Sequence, residues 1–128
     1  MTFNDVINQR YSCRSFSSQS IAQEKIDRIL VVGCRPSEAW VRRYDGKNGA
    51  EVDAAIVSTY LMLAAENEGL ATLWVGSFDP ALLREILPGA EEYELIAMIN
   101  IGYPAADSKP SAMHDSRKPM DELVTRVD

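Results

Sequence analysis

Histidine and cysteine are nearly missing from this chain, which holds one of the first and two of the second in 128 residues. A metal site needs several His, Cys, Asp or Glu ligands at matched spacing, and His114, alone in a loop of Ser, Asp and Lys, cannot supply one. Cys13 and Cys34 have neither C-x-x-C spacing nor a histidine beside them. They read as reduced thiols of a cytoplasmic protein rather than as a disulfide framework. A membrane-length apolar run is missing too: Ala54 to Ala65 is uncharged but short, and Ser58, Thr59 and Tyr60 interrupt it. Met1 to Arg10 is polar and lacks the apolar core of a signal peptide. Basic charge is scarce, with thirteen Lys and Arg against nineteen Asp and Glu for a net charge of −6. That argues against a general nucleic-acid binder. No repeat or low-complexity tract is visible.

What is present suits one globular domain, residues 1–128, with 46% hydrophobic and 25% charged residues. The chain is organised around Glu51 to Asp79. Ala54, Ala55, Leu61, Leu63, Ala64 and Ala65 predict a helix that is apolar nearly all round and therefore buried. Glu66 to Glu68 return it to water, and Gly69 is suited to the left-handed stop. Thr72 to Val75 then reads as a short buried strand ended by Gly76.

Thr2 with Asp5 predicts a capped first helix carrying Phe3, Val6, Ile7 and Arg10 on one side. Ser20 to Gln23 predicts a second capping box and a helix that buries Ile26, Ile29 and Leu30. That pattern runs into a strand pattern, Val31 to Gly33, with no turn residue between. Connections in compact domains ordinarily carry such punctuation. We infer that segments are missing from the chain around Leu30 and Val31 and again near Gly33 to Pro36. Asp45-Gly46 and Asn48-Gly49 mark the polar turn before the central helix. Asp79 and Pro80 open a short helix to Ile86. Tyr93 to Ile101, apolar on both faces, predicts a central strand. Met120 to Val124 suits a last helical turn.

Chemistry concentrates in two basic stretches. Arg10-Tyr11-Ser12-Cys13-Arg14 places two forked guanidinium groups around a hydroxyl, a donor set suited to phosphate. Ser116-Arg117-Lys118, at the other end, belongs to a local basic patch with Lys109. A phosphate monoester carries about −1.5 to −2 charges at neutral pH, so cations from two distant segments would match it. Solvated surface charges in weak ion pairs remain the alternative. A third stretch, Trp74-Val75-Gly76, could offer an aromatic wall and a close backbone approach to a flat ligand, or simply core and turn.

Taken in order, these stretches resemble the nitroreductase family of FMN-dependent oxidoreductases. Arg10-Tyr11-Ser12-Cys13-Arg14-Ser15-Phe16 is similar to the family's Arg-Arg-Ser-x-Arg-x-Phe opening. Asp53 to Leu61, Ala64-Ala65, Gly69 to Thr72 and Trp74 to Asp79 follow in family order. Ile101-Gly102-Tyr103-Pro104 matches the Gly-Tyr-Pro strand end, and Arg117 to Val124 resembles the Arg-Lys-Pro-Leu-x-Glu close. The resemblance implies an α+β sandwich, with a small central mixed sheet flanked by helices, and a homodimer with FMN at the subunit interface. It implies that Arg10, Tyr11, Ser12, Arg14 and Arg117 hold the phosphate and ribityl end, with Lys118 as a helper. Trp74, Val75 and Gly76 would line the isoalloxazine. It also implies NAD(P)H as reductant and nitroaromatic, quinone or similar small-molecule acceptors, with no catalytic side chain required. The family's flavin-contacting Asn and Gln have no counterpart around Arg35-Pro36-Ser37. That departure leaves a second reading, a non-catalytic scaffold of the same fold that has lost tight FMN binding.

Overall fold

The computed structural model describes residues 1–21 and 29–127. Its elements are α1 (Phe3–Gln9), β1 (Ile29–Cys34), α2 (Ala50–Asn67), β2 (Ala71–Val75), α3 (Pro80–Ile86), β3 (Glu94–Gly102) and α4 (Met120–Leu123). The strands form one sheet in the order β1-β3-β2. Both pairings are antiparallel. The parallel contribution comes from the N-terminal segment, where Ser12 bridges Thr72 along β2.

Directly paired residues share a sheet face. Leu30, Ile99 and Trp74 therefore stand in one cross-strand row, and Val32–Ala97 and Ile101–Thr72 fall on that same side. Ala97, Ile99 and Ile101 are buried there, which makes β3 the central strand its apolar sequence predicts. Ala65 of α2 and Leu70 complete the buried cluster with Ile99 and Ile101, and Leu61 and Met62 pack against it.

The helix starts follow their local chemistry. At α1, Thr2 Oγ1 accepts from Asp5 N while Asp5 Oδ2 accepts from Thr2 N, a reciprocal capping box. Asp79 caps α3 through Ala81 N and Leu82 N, with Pro80 in the first turn. The chain leaves α2 through Gly69 at φ 76°, a conformation that costs other residues free energy.

Two expectations change. Ile29 and Leu30 are strand residues, not the end of a helix. Pairing Ile29–Asn100 and Leu30–Ile99 gives their backbone groups ladder partners, and alternation places Leu30 on the core face. Residues 22–28 of that expected helix lie outside the described residues. The strand crosses the Leu30–Val31 junction unbroken, and Arg35 to Ala39 is a hydrogen-bonded turn, Glu38 N donating to Arg35 O and Ala39 N to Pro36 O. The expected full burial of α2 is overturned as well. Ala50, Ala54, Ser58 and Ala65 are buried, whereas Val52, Ile56, Val57 and Tyr60 lie 50–72% exposed on the other side. A sheet on one side can cover only one stripe of a helix. In α1, Val6 is buried while Phe3 and Ile7 are exposed.

A cationic pocket built from both ends of the chain

After α1 the backbone turns extended and is stitched to the sheet. Cys13 N donates to Thr72 O at 3.0 Å, Ser17 N to Tyr103 O at 2.8 Å, and Ala105 N to Ser15 O at 3.0 Å. These bonds lay residues 12–17 between the start of β2 and the end of β3. Gly102 is what lets Phe16 lie so close, because a Cβ there would sit 2.8 Å from Phe16 Cδ1.

Ser108 ties the C-terminal loop to that segment. Tyr11 Oη donates to Ser108 Oγ at 2.9 Å, and Ser108 Oγ lies 3.3 Å from the buried Cys13 Sγ. The His114 ring meets the Tyr11 ring edge-on, with centroids 6.5 Å apart. Farther on, Arg117 Nη1 donates to His114 O at 2.5 Å and to Ser116 O at 2.8 Å, folding the guanidinium back over its own loop. Short local bonds thus carry the loop's basic residues toward α1.

The result is a cavity of about 220 Å³ lined by Arg10, Ser12, Arg14, Ser111, Met113, His114 and Arg117. Its lining holds three guanidinium groups and two hydroxyls but no carboxylate, in a chain of net charge −6. Arg14 Nη1 donates to Ser12 O at 3.2 Å, leaving most of the Arg14 fork for another acceptor. Glu66 on α2 is the carboxylate coupled to this group. Burial pushes its carboxyl up, and the neighbouring Arg10 pulls it back down. Chemically, such a pocket suits a compact oxyanion.

Of the residues singled out in the sequence, Arg10, Ser12, Arg14 and Arg117 line this pocket together. Tyr11 turns its hydroxyl away to Ser108. Lys118 leaves as well, its ammonium 3.6 Å from Glu122 of α4. Trp74 and Val75 end β2 and Gly76 follows it, about 7 to 13 Å of strand beyond Thr72. Trp74 packs half-buried against the Ile99 cluster, and a Cβ on Gly76 would lie 3.6 Å from the indole Nε1. Sequence reasoning missed Ser111 and His114 as pocket residues. The available signal was the position of His114 three residues before Arg117, within one turn of chain.

A larger cavity of about 430 Å³ lies between β1 and the start of α2. Its guanidinium, Arg35, is already engaged by Glu38 at 3.1 Å, Glu92 at 3.0 Å and the Tyr93 ring at 4.6 Å. It therefore offers no free cation. Among the described residues, no group of three or more His, Cys, Asp and Glu could hold a metal ion. No helix among them is long and apolar enough to cross a membrane.

Comparisons with known proteins agree on one family. The model of the nitroreductase family matches residues 35–103, a span that excludes both arginine-bearing segments. Among solved structures, a nitroreductase family protein from Clostridium difficile 630 superposes with a TM-score of 0.78 at 25% identity, over 98% of each chain. A candidate NAD(P)H:FMN oxidoreductase from Staphylococcus epidermidis ATCC 12228 gives 0.73 at 18% identity, over 98% of this chain and 96% of that one. A nitroreductase with bound FMN from Desulfitobacterium hafniense DCB-2 gives 0.61 at 15% identity, over the whole of both chains. Comparison with curated proteins finds no match.

Proposed function

The chain belongs to the nitroreductase family, and from that premise we propose that it is an FMN-dependent oxidoreductase using NAD(P)H. The observation carrying this reading is the carboxylate-free pocket in which Arg10, Ser12 and Arg14 meet Arg117. Its donors fit the phosphate end of FMN: three guanidinium forks and a hydroxyl between them. Bound here, FMN would supply the redox chemistry, taking hydride from NAD(P)H and reducing nitroaromatic, quinone or similar acceptors.

The protein's own contribution is binding and orientation. Arg10, Arg14 and Arg117 would fix the phosphate, and Ser12 would donate to one of its oxygens. Trp74, Val75 and Gly76 would line the flat ring system of the flavin. No residue is asked to act as nucleophile, acid or base. The bare side of α2, with Val52, Ile56, Val57 and Tyr60, is the surface on which a second copy would pack to form the dimer.

One observation favours the second reading, a scaffold that has lost tight FMN binding. Between Ile29 and Trp40 the chain has no Asn or Gln, so this stretch offers no side-chain amide to a ring edge. Absorbance and native mass spectrometry of the purified protein separate the two. A yellow dimer that carries FMN and oxidises NAD(P)H when a quinone is added supports the enzyme. Protein that stays colourless after incubation with FMN supports the scaffold.

A further inference from the structure

Three guanidinium groups share one cavity with no carboxylate in its lining. Like charges repel, so the C-terminal arginine must be held against the N-terminal pair. Its own bonds do not do this, because Arg117 Nη1 donates to His114 O and Ser116 O, both in its own loop. Past Ala105 the backbone bonds among the described residues also stay within that loop: Ser108 N to Ala105 O, His114 N to Ser111 O and Ser116 N to Met113 O. Where the loop docks therefore decides where Arg117 stands.

The Ser108 side chain makes hydrogen bonds that leave the loop. Tyr11 Oη donates to Ser108 Oγ at 2.9 Å, Ser108 Oγ lies 3.3 Å from Cys13 Sγ, and Cys13 Sγ donates to Ser15 O at 3.2 Å. Each of these side chains has one hydrogen to give. The thiol gives its hydrogen to Ser15 O, so the Ser108 hydroxyl is the donor toward Cys13 Sγ. A one-way chain results, Tyr11 to Ser108 to Cys13 to Ser15 O, in which every donor is used. Its far end is anchored: Ser15 O also accepts from Ala105 N, and the fully buried Cys13 donates its N–H to Thr72 O of β2. The two residues that meet Ser108 alternate along the chain with Arg10, Ser12 and Arg14, which line the pocket. Extended backbone imposes that alternation, sending successive side chains to opposite sides.

We propose that Ser108 is a positioning residue of the cationic pocket. It fastens the loop that carries Arg117 to the reverse side of the segment that carries Arg10, Ser12 and Arg14, and so holds the third guanidinium in place. The inference rests on the phosphate-pocket reading above and adds the residue that brings Arg117 to it. Ser108 itself does not line the pocket; it acts through Arg117.

A cycle of FMN dissociation constants, measured by flavin fluorescence quenching on the full chain, tests this role. Ser108→Ala should weaken FMN binding roughly fivefold, the size of one partly exposed charge pair. In an Arg117→Ala background the same substitution should weaken it less than twofold further, since the group it positions is already gone. Tyr11→Phe keeps the ring beside His114 and removes the phenol hydrogen. It should follow the same pattern from the other end of the chain, and it carries the test alone if the serine variant does not fold. Full additivity of Ser108→Ala and Arg117→Ala would make the hydroxyl a merely structural group and overturn the proposal. Unchanged FMN affinity in Ser108→Ala would overturn it too. Riboflavin separates this inference from the flavin reading. A wild type that binds FMN no better than riboflavin sinks both, because the phosphate then contributes nothing. A wild type that prefers FMN, with the preference intact in Ser108→Ala, sinks the positioning role alone.

Discussion

Replacing Arg14 with alanine removes one of three guanidinium groups from the cationic pocket, and the structure sets the size of the loss. A charge-assisted hydrogen bond contributes about 1.5–3 kcal/mol when sheltered, whereas an exposed ion pair contributes about 0–1 kcal/mol. Arg14 is exposed and Arg10 half-buried, so the pocket lies between these limits. About 1–1.5 kcal/mol should disappear, a weakening of FMN binding by roughly tenfold. The bond from Arg14 Nη1 to Ser12 O is itself exposed, so its loss adds little. Lys47→Ala is the matched control. It makes the chain more negative by the same single unit, but Lys47 lines a different cavity, beside Trp40 and Arg42. At physiological ionic strength charges are screened beyond about 8 Å, so the control should change affinity less than twofold. Quenching of flavin fluorescence measures both variants. Riboflavin, which lacks the phosphate, should bind wild type and Arg14→Ala alike. Equal FMN affinity in Arg14→Ala and Lys47→Ala would refute the assignment of the phosphate to this pocket.

Three further outcomes follow from the packing and the charges. Ile99 is fully buried in the central strand between Leu30 and Trp74. Ile99→Ala should therefore cost about 3–4 kcal/mol in denaturant unfolding, and a loss under 1 kcal/mol would contradict the core described here. Ile56→Asp puts a charge on the bare side of α2, where a monomer would tolerate it. Sedimentation should show a dimeric wild type and a folded monomeric variant, and identical assemblies would exclude that face as the contact. The Asp5 carboxyl is held below its ordinary 3.8 by bonds from the Thr2 backbone and side chain. Its stabilisation is present above that ordinary value and fades as pH falls through the lowered one. The melting-temperature gap between wild type and Asp5→Asn should close below pH ~4, and a gap constant down to pH 2.5 would remove the capping argument.

Local rules determined the parts of this protein that depend on near neighbours in sequence. Thr2 with Asp5, Asp79 with Pro80, and Gly69 mark helix ends because caps and left-handed stops are set by residues within a turn of one another. The two-sided apolar pattern of Tyr93 to Ile101 likewise identified the central strand, which runs Glu94–Gly102. Ile29 and Leu30 were misread as helix because a short apolar run suits either state until a partner strand supplies the ladder, here Asn100 and Ile99. The composition of Ala54 to Ala65 could not say which side of α2 would be covered, since that depends on where the sheet lies. The cationic residues at the two ends were visible as residues, but not as neighbours. Their meeting depends on Cys13 bonding to Thr72 and Tyr11 to Ser108 across the fold. His114 joined them for the same reason: the fold of its loop against Tyr11, not its spacing to any other histidine or cysteine, gave it charged company.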